Sequence, residues 1–477
     1  MAEVGPRFLS VAVDSAQLVG GGWWSPDGRV DNGGGQTPQP RIDFSRPRLR
    51  RLAAPLAPAY LRLGGSEADK IFYAVGPDRA VQSPPGRYRR LLDEAQWAAA
   101  AGFARSLGFE LMFTLNAGPG PRGPGGAWTS TNAASLVAHA TAREDPVAVW
   151  ELGNEVNAFQ VIHGLFFKVG AARYAQDVRT ARAMLDEVGA EGRLAAPASA
   201  YWPEIGEAPD FYPRFMRRAG SVLDLVTWHY YPMQSRRCPL RTVPATDEAA
   251  RAPSVLDEVE IWAAEVESVR DDHAPGVPVW LGETGHAQCG GEPGLSDRFE
   301  SGFWWLDQLG LMARRGQPVV VRQSLTGADY GLLSEPDLEP RPDYFASVLW
   351  KRLMGSTVLG LDLGRERTLR AYAHCAAGVE GGVTVVLVNP DPERGAFAQL
   401  EGLSAARARA YRLQAVDGGR ASTLGGRPLA VEDDGALPPM TGVLERLDPS
   451  SPELYLPASS YGFFVLEDAE HPACSSS

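Results

Sequence analysis

Eight short β-rich runs, each followed by room for a helix, fill the first two-thirds of the chain. They are Phe8–Val13, Tyr60–Leu63, Glu110–Leu115, Val147–Leu152, Arg193–Ala196, Leu225–Trp228, Val277–Leu281 and Pro318–Arg322. Amphipathic stretches lie between them, among them Glu94–Leu107, Ala171–Val188, Ala249–Val269 and Ser296–Arg315. Strands that alternate with helices pair in parallel, because each crossover helix returns the chain to the same end of the sheet. Eight such units predict an α/β fold, a (β/α)8 TIM barrel with insertions. Beyond the helical stretch Asp343–Met354 the texture changes. Leu369–Ala373, Val383–Asn389, Ala408–Leu413 and Tyr461–Leu466 are strand-like and separated by Gly, Pro and Asp turns, which predicts a C-terminal β-sandwich domain. The expected division is a catalytic barrel over residues 7–354 and a sandwich over 355–477, with N-terminal residues available to complete the sandwich. The tract Gly118–Gly126 follows a strand, which in a barrel is a loop on the active face.

Charge narrows the partners. The 58 acidic and 46 basic side chains leave −12 at pH 7, and nucleic-acid binding needs a basic footprint, so nucleic acid is excluded as a default partner. A polyanionic substrate is not excluded, because a substrate meets the potential of the cleft rather than the average of the surface. Only Lys70, Lys168 and Lys351 are lysines; the dominance of arginine, with abundant Ala, Gly and Pro, fits a GC-rich codon bias. Arg87, Arg89, Arg90, Arg236 and Arg237 fall on predicted face loops. No apolar run reaches 18 residues, so no membrane span is expected. Met1–Pro6 lacks the order of a signal peptide and Arg7–Asp14 already reads as a strand, so either the protein stays inside or a leader has been removed. Cys238, Cys289, Cys375 and Cys474 lie too far apart for zinc or CxxC spacing, and neither a metal nor an organic cofactor is expected. The oligomeric state is not set by any of these features.

Two glutamates terminate strands in nearly the same style. Val149–Glu155 (VWELGNE) ends on Glu155, and Val279–Thr284 (VWLGET) carries Glu283. They close the fourth and seventh strands, so on a closed barrel they face each other across the mouth. Carboxylates about 5–5.5 Å apart suit a retaining glycosidase, one as nucleophile and the other as acid/base. Asn154 beside Glu155 is suited to bond a sugar hydroxyl.

These motifs resemble heparanases, the endo-β-glucuronidases of glycoside hydrolase family 79. The resemblance runs over FLSVAVD near the start, Pro58–Gly65 (PAYLRLGG), WELGNEVN, Thr227–Tyr231 (TWHYY), VWLGETGHAQCGG, Leu295–Gly310, Val321–Tyr330 (VRQSLTGADY), Pro342–Tyr344, Leu437–Met440 and Leu456–Val465. It implies Glu155 as acid/base and Glu283 as nucleophile. It further implies that Asp14, Asn154, Gln323 and Tyr330 line the −1 glucuronate pocket, that Gly290 offers a backbone N–H to the sugar carboxylate, and that His229 and Tyr231 lie beside the nucleophile. Asp14 is equally suited to cap the turn after its strand. Trp304 and Trp305 fall in a helical pattern and read as core, whereas Trp23 and Trp24, in an early barrel loop, are open to sugar stacking or packing.

The sequence also departs from the vertebrate pattern. After the nucleophile it reads Gln288-Cys289-Gly290-Gly291, with one aromatic and one glycine replaced. The long excised linker of the animal enzymes is replaced by about twenty residues, Gly76 to Gln96, which implies activity as a single chain. Cys375 and Cys474 match a family disulfide, and that bond would imply an oxidising compartment, secreted or periplasmic. The expected function is therefore a retaining endo-β-glucuronidase acting on heparan sulfate or a related glucuronate-containing polysaccharide. The alternatives are an exo-acting β-glucuronidase on other glycans and, more remotely, a non-catalytic glycan-binding protein.

Overall fold

The computed structural model describes residues 2–24, 35–207, 210–364 and 367–475. Eight parallel strands close into a barrel: β1 (Leu9–Asp14), β2 (Ala59–Gly64), β3 (Phe109–Leu115), β4 (Val147–Leu152), β5 (Arg193–Tyr201), β6 (Leu225–Tyr230), β7 (Val279–Thr284) and β8 (Val320–Arg322). All eight runs expected from the sequence are present. Side chains alternate between the two faces of a strand, and this period builds the barrel interior in layers. The lower layer is apolar and draws on every strand: Ala12, Tyr60, Met112, Val149, Ala195, Leu225, Trp280 and Val321 form one buried cluster. Alanines at 12 and 195 leave room for Tyr60 and Trp280, whose rings pack with centroids 4.7 Å apart. Two residues further along the strands the interior becomes polar, with Asp14, Arg62, Thr114, Glu151 and Thr227 all buried. The strands therefore plug the barrel below and present chemistry above.

One expected helix is broken. Ala249–Val269 divides into Asp247–Arg251 and Pro253–His273, with Ala252 extended between them (φ −72°, ψ 124°). Pro253 has no N–H to give to the preceding turn and disfavours the helical conformation of the residue before it.

Two helices carry the barrel onto the second domain, α1 (Ser301–Arg314) and α2 (Pro342–Leu353). The latter runs directly into β9 (Met354–Leu359), followed by β10 (Arg370–Ala376), β11 (Val383–Asn389), β12 (Ala396–Gln399), β13 (Arg407–Val416), β14 (Ala421–Leu424), β15 (Arg427–Pro428), β16 (Val443–Arg446), β17 (Glu453–Leu456) and β18 (Ser460–Leu466). Ala2–Glu3 pairs antiparallel with β9 at one edge of a nine-stranded sheet ordered β9, β10, β11, β18, β13, β14, β15, with β16 on β13. One face of this sheet, with Tyr372, Val386, Val388, Tyr461 and Phe463, merges with the main core over α1 and α2. The other face, with Ala371, Val385, Leu387, Phe464 and Leu466, is covered by a ribbon of β12 and β17. The second layer of the sandwich is thus only two strands wide. Cys375 on β10 is bonded to Cys474 (Cα–Cα 5.2 Å), fixing the C-terminal tail to the sheet.

Candidate active site

The polar layer of the barrel is organised by Arg62, in the middle of β2 and wholly buried. Its Nε and Nη2 donate to Glu151 Oε2 (3.0 and 2.8 Å), Nη2 also to Asn154 Oδ1 (2.9 Å), and Nη1 to Glu283 Oε2 (2.6 Å). Glu151 accepts further bonds from the Thr114 and Thr227 hydroxyls, each 2.8 Å. A buried guanidinium is tolerated only when carboxylates and their remaining lone pairs are matched in this way.

Glu155 lies just beyond β4 in the left-handed region (φ 53°, ψ 50°), a conformation that costs a side-chain-bearing residue on the order of 1–3 kcal/mol. Neighbouring backbone holds it there. Gly153 N donates to Leu115 O (2.8 Å) and Glu155 N to Ala198 O (3.0 Å). Asp69 accepts from Asn154 N (2.9 Å) and Ala117 N (2.7 Å). Burial pushes the Asp69 carboxyl up to about 7 against those two bonds.

Glu283 ends β7 beside His229 of β6. One oxygen accepts from Tyr231 Oη (2.7 Å), the other from Arg62. Burial alone would raise its pKa; His229 and Arg62 nearby, with the bonds from Tyr231 and Arg62, outweigh it and hold the carboxyl below its usual range. His229 stands between the two glutamates, Nδ1 being 3.2 Å from Glu155 Oε1 and 3.9 Å from Glu283 Oε2. The ring therefore leans towards Glu155 rather than the expected nucleophile.

The opposite wall is Asp14, Gln323, Tyr330 and Tyr231. Asp14 Oδ1 accepts from Ala16 N (2.8 Å), capping the short helix after β1, while Oδ2 accepts from Gln323 Nε2 (2.9 Å). It therefore serves as cap and wall together. Burial pushes its carboxyl up to about 8, against the Ala16 bond and with Glu283 and Glu67 adding to the rise. Gly65 (φ 107°) is required behind it, since a Cβ there would collide with the Asp14 carboxylate. Tyr231 and Tyr330 have ring centroids 6.1 Å apart. Gly290 is packed under Trp24, and its carbonyl accepts from Asp329 N (2.8 Å) next to Tyr330. Trp23 is buried against Tyr330, which makes it a packing residue; Trp24 is half-buried over Gly290. Trp304 and Trp305 are core residues flanking the buried Arg322. The structure thus gathers Glu155, Glu283, Asn154, His229, Tyr231, Asp14, Gln323, Tyr330 and Gly290 at one mouth, while Cys375 and Cys474 belong to the second domain.

Residues 22–310 match the model of glycosyl hydrolase family 79, N-terminal domain. The chain belongs to this family. Among its relatives, heparanase of Gallus gallus is 32% identical over 99% of this chain and 94% of its own length. Heparanase of Mus musculus is 30% identical over 99% of this chain and 92% of its own. Among solved structures, a 4-O-α-L-rhamnosyl-β-D-glucuronidase from Fusarium oxysporum shares the fold, with a TM-score of 0.69 at 18% identity, covering 98% of this chain and 97% of that one. This family 79 member is a glycoside hydrolase, and no helix among the described residues is long and apolar enough to cross a membrane.

Several residues beside the site in this family 79 barrel were not among those expected from the sequence. Arg62 and Glu151 are charges inside otherwise apolar strands, YLRLGG and VWELG, and that anomaly is itself a signal of a buried pair. Asp69 and the bond between Cys238 and Cys289 (Cα–Cα 5.5 Å) carry no such local mark. Glu155, His229 and Glu283 have ligand atoms within 4.8 Å of one another, a spacing a divalent ion could bridge. Arg62 already places a fixed cation on Glu283 Oε2, so this trio does not suit a dication.

Proposed function

We propose that the protein is a retaining β-glucuronidase that cuts internal glucuronate–glucosamine linkages of heparan-type polysaccharide by double displacement. The observation that carries this is the asymmetric environment of two close carboxylates. Oxygens of Glu155 and Glu283 lie within 4.8 Å, the close spacing of direct attack rather than of an intervening water. Glu283, held ionised by His229, Arg62 and Tyr231 against its burial, attacks the anomeric carbon, while Glu155 gives its proton to the departing glycosidic oxygen. Water then attacks the glycosyl–Glu283 ester as Glu155 takes back a proton. The wall of Asp14, Gln323, Tyr330 and Gly290 suits an anionic sugar. Asp14, raised to about 8, is uncharged near neutral pH and does not repel the sugar carboxylate. A Tyr hydroxyl and a Gly N–H bind that group without adding charge.

The choice of polysaccharide rests on the likeness to heparanases over nearly the whole chain. Residues 75–89 are the whole connection between the strands Ile71–Ala74 and Arg90–Asp93, a stretch too short to carry a long excised linker, which supports activity as a single chain. Two disulfides suit a secreted or periplasmic protein. The test is digestion of size-defined heparan sulfate followed by gel filtration. Endo action gives a rapid fall in chain length; slow release of monosaccharide would replace it with an exo reading. Glu155→Gln and Glu283→Gln should each lower turnover on the order of a thousandfold or more while the protein still melts in one cooperative transition, at a lower midpoint in Glu283→Gln because buried Arg62 loses a carboxylate. Normal turnover in either variant would refute the mechanism.

A further inference from the structure

Six residues beyond Glu283, the backbone enters an unusual state. Cys289, Gly290 and Gly291 lie consecutively in the left-handed region, with φ of 63°, 86° and 87°. Glycine tolerates this; Cys289 does not without outside support. The support comes from both neighbouring loops. Cys289 is bonded to Cys238, on the loop after β6. Gln288 N donates to Met233 O (2.8 Å) and Ser235 N to Gln288 O (3.2 Å). Arg237 Nη1 donates to Gly291 O (2.9 Å), and its Nη2 pairs with Asp329 of the loop after β8 (2.6 Å). Asp329 N in turn bonds the Gly290 carbonyl. Gly290 is buried, yet its N–H has no acceptor among the described residues. A buried donor is costly to leave unpaired, so this N–H calls for an acceptor from outside the chain, a role open to water and to the carboxylate of a bound sugar.

We propose that the Cys238–Cys289 disulfide is a positioning clasp that sets affinity for the anionic sugar, by holding the Gly290 N–H where the sugar carboxylate meets it. The proposal rests on the glucuronidase reading above. Hydrogen bonds across the loop are distributed and individually replaceable. The disulfide is the one covalent tie at the residue whose backbone needs holding. Opening it lets Cys289 relax out of the left-handed region, and Gly290 turns with it. The reacting carboxylates stand on β7 and after β4, outside the clasped loop, so chemistry at the anomeric carbon continues once a sugar is bound.

The test compares nitrophenyl β-glucuronide with its methyl ester, which differ in the charge of the sugar carboxyl and in one methyl group. In Cys238→Ser/Cys289→Ser the ratio of kcat/KM, acid over ester, should fall roughly tenfold or more through KM, the loss expected for one hydrogen bond to a charged group. The kcat on the acid should change little. Cys238→Ser/Cys289→Gly should recover part of the ratio, because glycine accepts the backbone state without the bond. In a Cys375→Ser/Cys474→Ser background, phosphine reduction of the remaining disulfide, scored by thiol titration, should reproduce the effect on protein that has already folded. A ratio unchanged within about twofold, or equal losses on acid and ester, would overturn the clasp. Failure of the unmodified enzyme to cleave both glucuronides and size-defined heparan sulfate alike would instead remove the glucuronidase reading, and the clasp with it.

Discussion

Arg62 and Asp14 show how single residues set the charge of the mouth in opposite senses. Arg62 keeps Glu283 ionised at the cost of its own burial, and Glu151 exists to balance it. Asp14 is instead buried with no cation paired to it among the described residues and keeps its proton. The consequence for stability has a definite sign. Its folded pKa, about 8, lies above the unfolded value near 3.9, so between those values the folded state holds a proton the unfolded chain has lost. Stability therefore falls as pH rises through this window and levels off above it. Asp14→Asn removes the titration. Asn keeps the acceptor for Ala16 N, and the Gln323 amide, whose Oε1 now lacks a partner, can turn over to accept from the new amide. The melting temperature of Asp14→Asn relative to the parent should therefore rise from pH 4.5 to pH 8, by an amount reflecting a few kcal/mol. A gap independent of pH would mean that Asp14 is already ionised in the fold.

At the scale of elements, α1 decides how the two domains meet. Gly302 and Gly310 on this helix face Tyr461 and Tyr372 of the β domain, and a Cβ at either position would enter the aromatic ring. Replacing glycine by alanine inside a helix normally stabilises it by about 1 kcal/mol. At Gly310 close packing reverses the sign, so Gly310→Ala should destabilise by roughly 1–3 kcal/mol. Gly102, in the helix Glu94–Leu107, has open space where a methyl group would sit, with nothing within 4 Å, and Gly102→Ala should raise the melting temperature. Stabilisation by both changes in thermal unfolding would show that the α1 contact is loose. The same contrast explains what was legible beforehand. The barrel strands and the two glutamates follow from local periodicity and strand-end motifs, which a sequence displays directly. The two-stranded ribbon, the approach of α1 to Tyr372, the partner of Arg62 and the pairing of Cys238 with Cys289 are contacts between distant segments. No local pattern encodes them; only the burial of a charge at Arg62 hinted that a partner was needed.

For the molecule as a whole, the charge of −12 becomes a statement about substrate once the face-loop arginines are placed. Arg237 is fully buried against Asp329, Arg236 is paired with Glu292, Arg90 with Glu67, and Arg87 bonds the Arg122 carbonyl. Side chains that looked available to sulfates are therefore already engaged with the protein. Arg89, Lys168 and Arg241 are exposed on loops that follow barrel strands, against a net charge of −12 over the whole chain. A highly sulfated chain would have to draw Arg236, Arg90 and Arg87 away from their present partners, and the buried Arg237–Asp329 pair has no reason to open for it. The enzyme should accordingly cut N-acetylated, sparsely sulfated stretches of heparan sulfate faster than heparin. Its KM on the sparse substrate should change less than about twofold between 50 and 300 mM salt, because little of the binding depends on exposed charge pairs that salt screens. Faster cleavage of heparin, with KM rising steeply over the same range, would mean that the paired arginines exchange their carboxylates for sulfate on binding.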